Sequence, residues 1–117
     1  MLLPDITLQD IFQAQKSIVP VARKTPLTRS DSLTERLGAN LYLKLETLQE
    51  TGSFKVRGAA NKILNLPADE KTRGVVTVST GNHGRAVAYV ARQAGIEAAV
   101  CISERVPQNK CRRRRRR

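Results

Sequence analysis

Of the 117 residues, 21 are Lys or Arg, and six of these form the terminal run Arg112 to Arg117; without that run 15 basic residues face 10 Asp+Glu, and the formal charge of +11 becomes +5. A chain of this length holds one domain, and its two cysteines, Cys101 and Cys111, lack C-x-x-C spacing and have only His83 as a histidine companion, which excludes a disulfide framework or a zinc site. No window approaches the roughly 18 apolar residues of a spanning helix and no basic n-region opens the chain, so the sequence offers neither a membrane span nor a signal peptide, and a reducing cytoplasm is the expected compartment.

Along the chain, Thr7 and Asp10 have capping-box spacing, and Leu8, Ile11, Phe12, Ile18 and Val19 fall near one face of a helix that Pro20 ends, expected to pack as an ordinary amphipathic element. A turn at Thr25-Pro26 leads to a short helix over about Asp31 to Leu37, stopped by Gly38. Leu41 to Glu46 alternates at period two and reads as a strand. The segment Thr51-Gly-Ser-Phe-Lys-Val-Arg-Gly58 then opens a helix carried by Val56, Ala59, Ala60, Ile63 and Leu64, reaching about Leu66 and ended by Pro67.

Val75 to Ser79 is a β-rich run of the buried type, followed at once by Ser79-Thr-Gly-Asn-His-Gly84. Val87, Ala88, Ala91 and Ala94 mark the next helix, closed by Gly95, and Ala98 to Ile102 is a strand. Strand, glycine loop, helix and strand within about thirty residues signal a βαβ crossover. The fold class is therefore α/β, a parallel sheet with flanking helices, incomplete because such a sheet needs more strands than these. Beyond Val106, Pro107 suits a further helix start, whose apolar face the arginines replace. That run has no interleaved aromatics for base stacking, so a nucleic-acid partner is not expected, although a basic binding module built on the tail is the rival from another class.

Two loops carry the chemistry. Lys55 stands where a glycine-containing loop meets a helix, between Phe54 and Arg57; a lysine forms a Schiff base only when partly neutral, which partial burial or a nearby positive charge such as Arg57 promotes. The simpler reading is a surface lysine in a first helical turn. The loop from Ser79 to Gly84 aims backbone N–H groups and a helix N-terminus at one spot, a place suited to carboxylate or phosphate, with the Asn82 amide beside it. His83 reads most simply as a partly buried group bracing the loop. No G-x-x-x-x-G-K-[ST] string exists, which excludes a P-loop, and no G-x-S-x-G string, which excludes a nucleophile elbow.

Ser53-Phe-Lys-Val-Arg-Gly-Ala59 and Ser79-Thr-Gly-Asn-His-Gly84 together resemble the fold-type II pyridoxal-phosphate enzymes, most of all the threonine dehydratase and serine racemase group. Thr25-Pro-Leu27, Leu43-Lys-Leu-Glu46 and Val106-Pro107 extend the likeness over about residues 15 to 110. The resemblance implies that Lys55 bonds to pyridoxal 5'-phosphate as a Schiff base, that Phe54 borders the cofactor ring, and that Asn82 hydrogen-bonds its 3-oxygen. It also implies that Ser79, Thr80, Gly81, Asn82 and His83 hold the substrate carboxylate through backbone amides. The freed lysine would remove the α-proton of threonine or serine, loss of the β-hydroxyl would follow, and a 2-oxo acid and ammonia would leave.

Thr80 matches the position where racemising members place a serine as opposite-face acid or base. Residues 1–110 then read as the N-terminal part of a catalytic domain of a homo-oligomeric enzyme, and 111–117 as an arginine tail from a frameshift or a tag. The family's phosphate-gripping glycine loop is expected beyond Arg117, so the chain alone is expected to be inactive and poorly soluble. Gly84-Arg85, in place of the commoner Gly-Gln, keeps a dehydratase of another catabolic route, such as hydroxyectoine utilisation, as an alternative.

Overall fold

The computed structural model describes residues 5–102. Val106-Pro107, Cys111 and the arginine run lie outside them.

Helix α1 (Leu8–Ile18) begins in a complete capping box: the Asp10 N–H donates to Thr7 Oγ1 and the Thr7 N–H to Asp10 Oδ2. It packs on α3 (Lys55–Leu64) through its C-terminal end, where Ile18 is buried. The expectation of one packed apolar face holds only there. Leu8, Ile11, Phe12 and Val19 are exposed, because no described element lies over them.

Strand β1 (Leu27–Arg29) pairs antiparallel with β2 (Tyr42–Lys44) in the register Leu27 to Lys44, and between them runs α2 (Asp31–Leu37), closed by Gly38 at φ 64°. The sequence showed β2 through its alternation but not β1, whose three residues directly after Pro26 are too few to display a period. A 3-10 turn, Glu46–Leu48, connects β2 to the lysine loop. Helix α4 (Ala68–Arg73) was also invisible to pattern reading, since Ala-Asp-Glu-Lys-Thr-Arg has no apolar repeat and none of it is buried.

The expected crossover is present: β3 (Val75–Val78), α5 (Asn82–Gln93) and β4 (Ala98–Cys101), with β3 and β4 parallel and Val75 opposite Ala98. One correction concerns β3. Its pattern is that of a strand of the buried type, yet Val76 and Val78 are 75% and 79% exposed, since the described helices cover only the other face.

The core lies between α3 and α5. Val56, Ala60, Ala86, Val90 and Ala91 have no measurable exposure there, and Ile18, Val21, Ile63 and Ile96 close its rim. Alanines at facing positions let the two helix backbones approach closely, so the loops that start these helices are carried by one rigid pair.

Candidate active site

The lysine loop is a compact turn. Thr51 and Ser53 are buried, Thr51 Oγ1 donates to the Ser53 carbonyl at 3.3 Å, and Gly52 holds φ 70°, a conformation that favours glycine. Ser53 Oγ accepts the Lys55 N–H at 3.4 Å. Phe54 is the cap and Lys55 the first residue of α3, as the loop-to-helix reading required. Both side chains are exposed, with the Lys55 Nζ 5.1 Å from the centre of the Phe54 ring.

Arg57 does not supply the free positive charge considered for it. Its Nε and Nη2 hold the two Glu46 oxygens at 2.9 and 2.6 Å, a bidentate pair in which neither side chain is more than a third exposed. Thr25 Oγ1 donates to Glu46 Oε1 at 2.6 Å, and Gln49 Nε2 to Oε2 at 3.2 Å. The Arg57 guanidinium, and then the Thr25 hydroxyl against the opposing cost of burial, hold the Glu46 carboxyl down to about 2. Arg57 is itself raised by the same bond to Glu46. Gln49, 4% exposed, mimics a strand partner for Arg23, accepting its N–H at 2.9 Å and donating to its carbonyl at 2.8 Å. Sequence reading assigned Arg57 only the part of a nearby positive charge, Glu46 and Thr25 that of flanking context, and Gln49 none; a carboxylate just after a strand facing an arginine in the next helix was the available signal.

The second loop is shaped by Ser79. Its N–H donates to the Cys101 carbonyl at 3.1 Å, and its Oγ accepts the N–H groups of Gly81 at 3.2 Å and Gly84 at 2.9 Å. The amides of Ser79 and Gly81 are thus engaged within the protein. Asn82 and His83 open α5, where helix geometry provides no carbonyl for their N–H groups, and their side chains are exposed. His83 is not the partly buried brace expected of it: it lines a groove beside β3 with Val76, Ile63 and Val87, and Lys55 lies outside that groove. Gly84 is buried, and a Cβ there would stand 2.8 Å from Val100 Cγ1 and 3.2 Å from the Ser79 carbonyl oxygen.

One side chain ties the loops together. Arg85, in the first turn of α5, donates to the Thr51 carbonyl at 3.2 Å, so the beginnings of α3 and α5 lie side by side. The sequence reading treated Arg85 only as an unusual neighbour of Gly84.

The family model for pyridoxal-phosphate dependent enzymes matches residues 18–116. The chain belongs to that family. It is 47% identical over 105 residues to the L-threonine ammonia-lyase of Thermotoga maritima, covering 90% of this chain and 26% of that protein. A provisionally named threonine dehydratase of Sinorhizobium fredii is 49% identical over 108 residues, or 92% of this chain and 32% of its own length. Among solved structures, serine racemase from Dictyostelium discoideum superposes with a TM-score of 0.87 at 41% identity, covering 93% of this chain and 36% of that one. The chain therefore spans about a third or less of the relatives' length, and the α/β architecture is an incomplete fold-type II one.

The residues present fit the family's cofactor at its aldehyde and ring. An exposed primary amine stands beside an exposed aromatic face, and the first turn of α5, with its outward N–H groups, begins next to the same loop. Among the described residues no helix is long and apolar enough to cross a membrane, and no cluster of three or more His, Cys, Asp or Glu could hold a metal.

Proposed function

We propose that residues 1–110 carry the lysine and carboxylate-binding loops of a pyridoxal-phosphate-dependent ammonia-lyase that converts threonine or serine to a 2-oxo acid and ammonia. Bound pyridoxal phosphate supplies the electron sink for this chemistry. Lys55 Nζ would hold the cofactor at its aldehyde and would serve as the base toward the substrate's α-proton. Phe54 would border the ring and the Asn82 side-chain amide would hold its 3-oxygen. The substrate carboxylate rests on the Thr80, Asn82 and His83 amides at the positive end of α5, with Ser79 and Gly81 shaping the loop around it.

The observation that supports this reading is the Arg85 bond to Thr51, which ties the start of α5 to the loop that precedes Lys55. A second reading, racemisation of serine, has the likeness to serine racemase in its favour and needs the Thr80 hydroxyl to work on the face opposite Lys55. The parent enzyme acts on a free amino acid in the cytoplasm, as a homo-oligomer without nucleic acid.

The test uses the whole polypeptide expressed from its own gene. After incubation with pyridoxal phosphate, borohydride reduction and peptide mapping are expected to find the cofactor on Lys55, and L-threonine or L-serine to yield a 2-oxo acid. Absence of label from Lys55 would sink the proposal, and D-serine formation without ammonia release would select the second reading.

A further inference from the structure

The Arg57–Glu46 pair, with Thr25 and Gln49, is more polar machinery than the anchoring of α3 requires. That helix already buries Val56, Ala59, Ala60 and Ile63 in the core, all at 5% exposure or less. A half-buried ion pair is weak evidence for stability, because desolvation offsets much of its attraction. What a bidentate fork adds is geometry: two parallel N–H to oxygen bonds form at one relative placement of the partners and no other.

Here the fork joins three backbone segments. Glu46 belongs to the 3-10 turn after β2, and Arg57 to the first turn of α3. The Arg57 Nη2 also reaches the Arg23 carbonyl at 3.1 Å, while Gln49 brackets the Arg23 peptide from the other side. The Arg57 backbone N–H donates to the Phe54 carbonyl at 3.0 Å, so the turn that carries Lys55 is closed by the same residue whose side chain the fork holds. The lysine side chain makes no hydrogen bond of its own among the described residues, and its one recorded contact is the Phe54 ring. Where Nζ lies therefore depends on how the backbone at 54–57 is fixed.

We propose that Arg57 and Glu46 are positioning residues for Lys55: their bidentate pair sets the first turn of α3 against the 23–25 segment and so presents Nζ at one place. This rests on Lys55 being the cofactor lysine. The Glu46 carboxyl, ionised well below the ordinary carboxylate range, keeps the fork closed at every pH where such an enzyme would work.

The experiment compares wild type, Arg57→Lys and the double variant Glu46→Gln/Arg57→Gln in the whole polypeptide, with pyridoxal phosphate as probe. Lysine keeps the charge but cannot form the fork; the double variant removes both charges and retains amide hydrogen bonding. Three readouts are taken: far-ultraviolet circular dichroism, the rate and site of borohydride-trapped label by peptide mapping, and hydrogen exchange of amides 54–57 without cofactor.

With native dichroism, Arg57→Lys is expected to label Lys55 roughly tenfold more slowly, to spread label to other lysines, and to lose amide protection at 54–57. The double variant should fall between it and wild type. Wild-type rate, selectivity and protection in Arg57→Lys overturn the proposal, as does slower labelling that merely parallels loss of dichroism in both variants. If wild type itself does not label Lys55, the functional reading falls and takes this proposal with it; if wild type labels normally, only the positioning role is at stake.

Discussion

The lysine loop and the Ser79–Gly84 loop both sit before a helix of the same rigid pair, yet they are held by different physics. The first, besides its own Thr51 and Ser53 hydroxyls, is fixed by a charged and polar network that joins Arg57 of its helix start to Glu46, Gln49 and the more distant Thr25. The second is fixed by its own serine hydroxyl and by the absence of a side chain at Gly84. The first is accordingly sensitive to charge and pH, the second to volume.

The largest effect is expected at Glu46. With its carboxyl held at about 2 in the folded chain, removing the Glu46 charge leaves Arg57 without its counter-ion and costs on the order of 3 kcal/mol at neutral pH, which is the cost of breaking the pair and not its net contribution. The folded-state value is depressed, so this stability is fully present above the ordinary carboxylate range and is lost as pH falls toward about 2. Urea midpoints of Glu46→Gln should therefore lie well below wild type at pH 7 and converge with it as the solution is acidified. A gap that stays constant with pH would show that volume or amide geometry, and not charge, holds the lysine loop.

Next comes Gly84→Ala. The added Cβ would press on the β-branched Val100 side chain and the Ser79 backbone, and such overpacking costs roughly 2 kcal/mol. This penalty should show no acid dependence between pH 3 and 7, in contrast to Glu46→Gln. If the two variants share one pH profile, the loops are not held by separate means.

This contrast also explains what could be read in advance. The capping box at Thr7, the Gly38 stop, the α3 and α5 repeats and the parallel crossover were legible because each depends on residues close in sequence. The placement of Lys55 at a helix start was legible for the same reason. The Glu46–Arg57 fork, eleven residues apart, and the Gln49–Arg23 bracket, twenty-six apart, were not, because they arise only when the chain folds back on itself. Exposure of Val76 and of Leu8, Ile11 and Phe12 escaped notice because an apolar residue states a preference, while its neighbours decide whether that preference is met.

A smaller effect belongs to Ser79→Ala. It removes the acceptor of two backbone N–H groups at the start of α5, much as the loss of a helix cap does, so about 1–2 kcal/mol is expected. Amide exchange at Gly81 and Gly84 should accelerate before any change at 54–57. Equal acceleration in both stretches would mean that the loops open together.

The smallest change in stability is expected from Arg85→Ala, yet it bears most directly on whether the two loops are independent. Arg85 is exposed and contributes one charge-assisted bond to the Thr51 carbonyl, a contact that solvent partly replaces, so about 1 kcal/mol or less should be lost. Its influence on coupling is larger than its strength suggests, because it is the described side chain that spans from α5 to the lysine loop. In a double-mutant cycle between Glu46→Gln and Ser79→Ala, a coupling of roughly 0.5–1 kcal/mol is expected with Arg85 present and none in the Arg85→Ala background. If the coupling survives without Arg85, it passes through the alanine-lined contact of α3 and α5; if it is absent even with Arg85, the bond to Thr51 places the loops side by side without making either depend on the other.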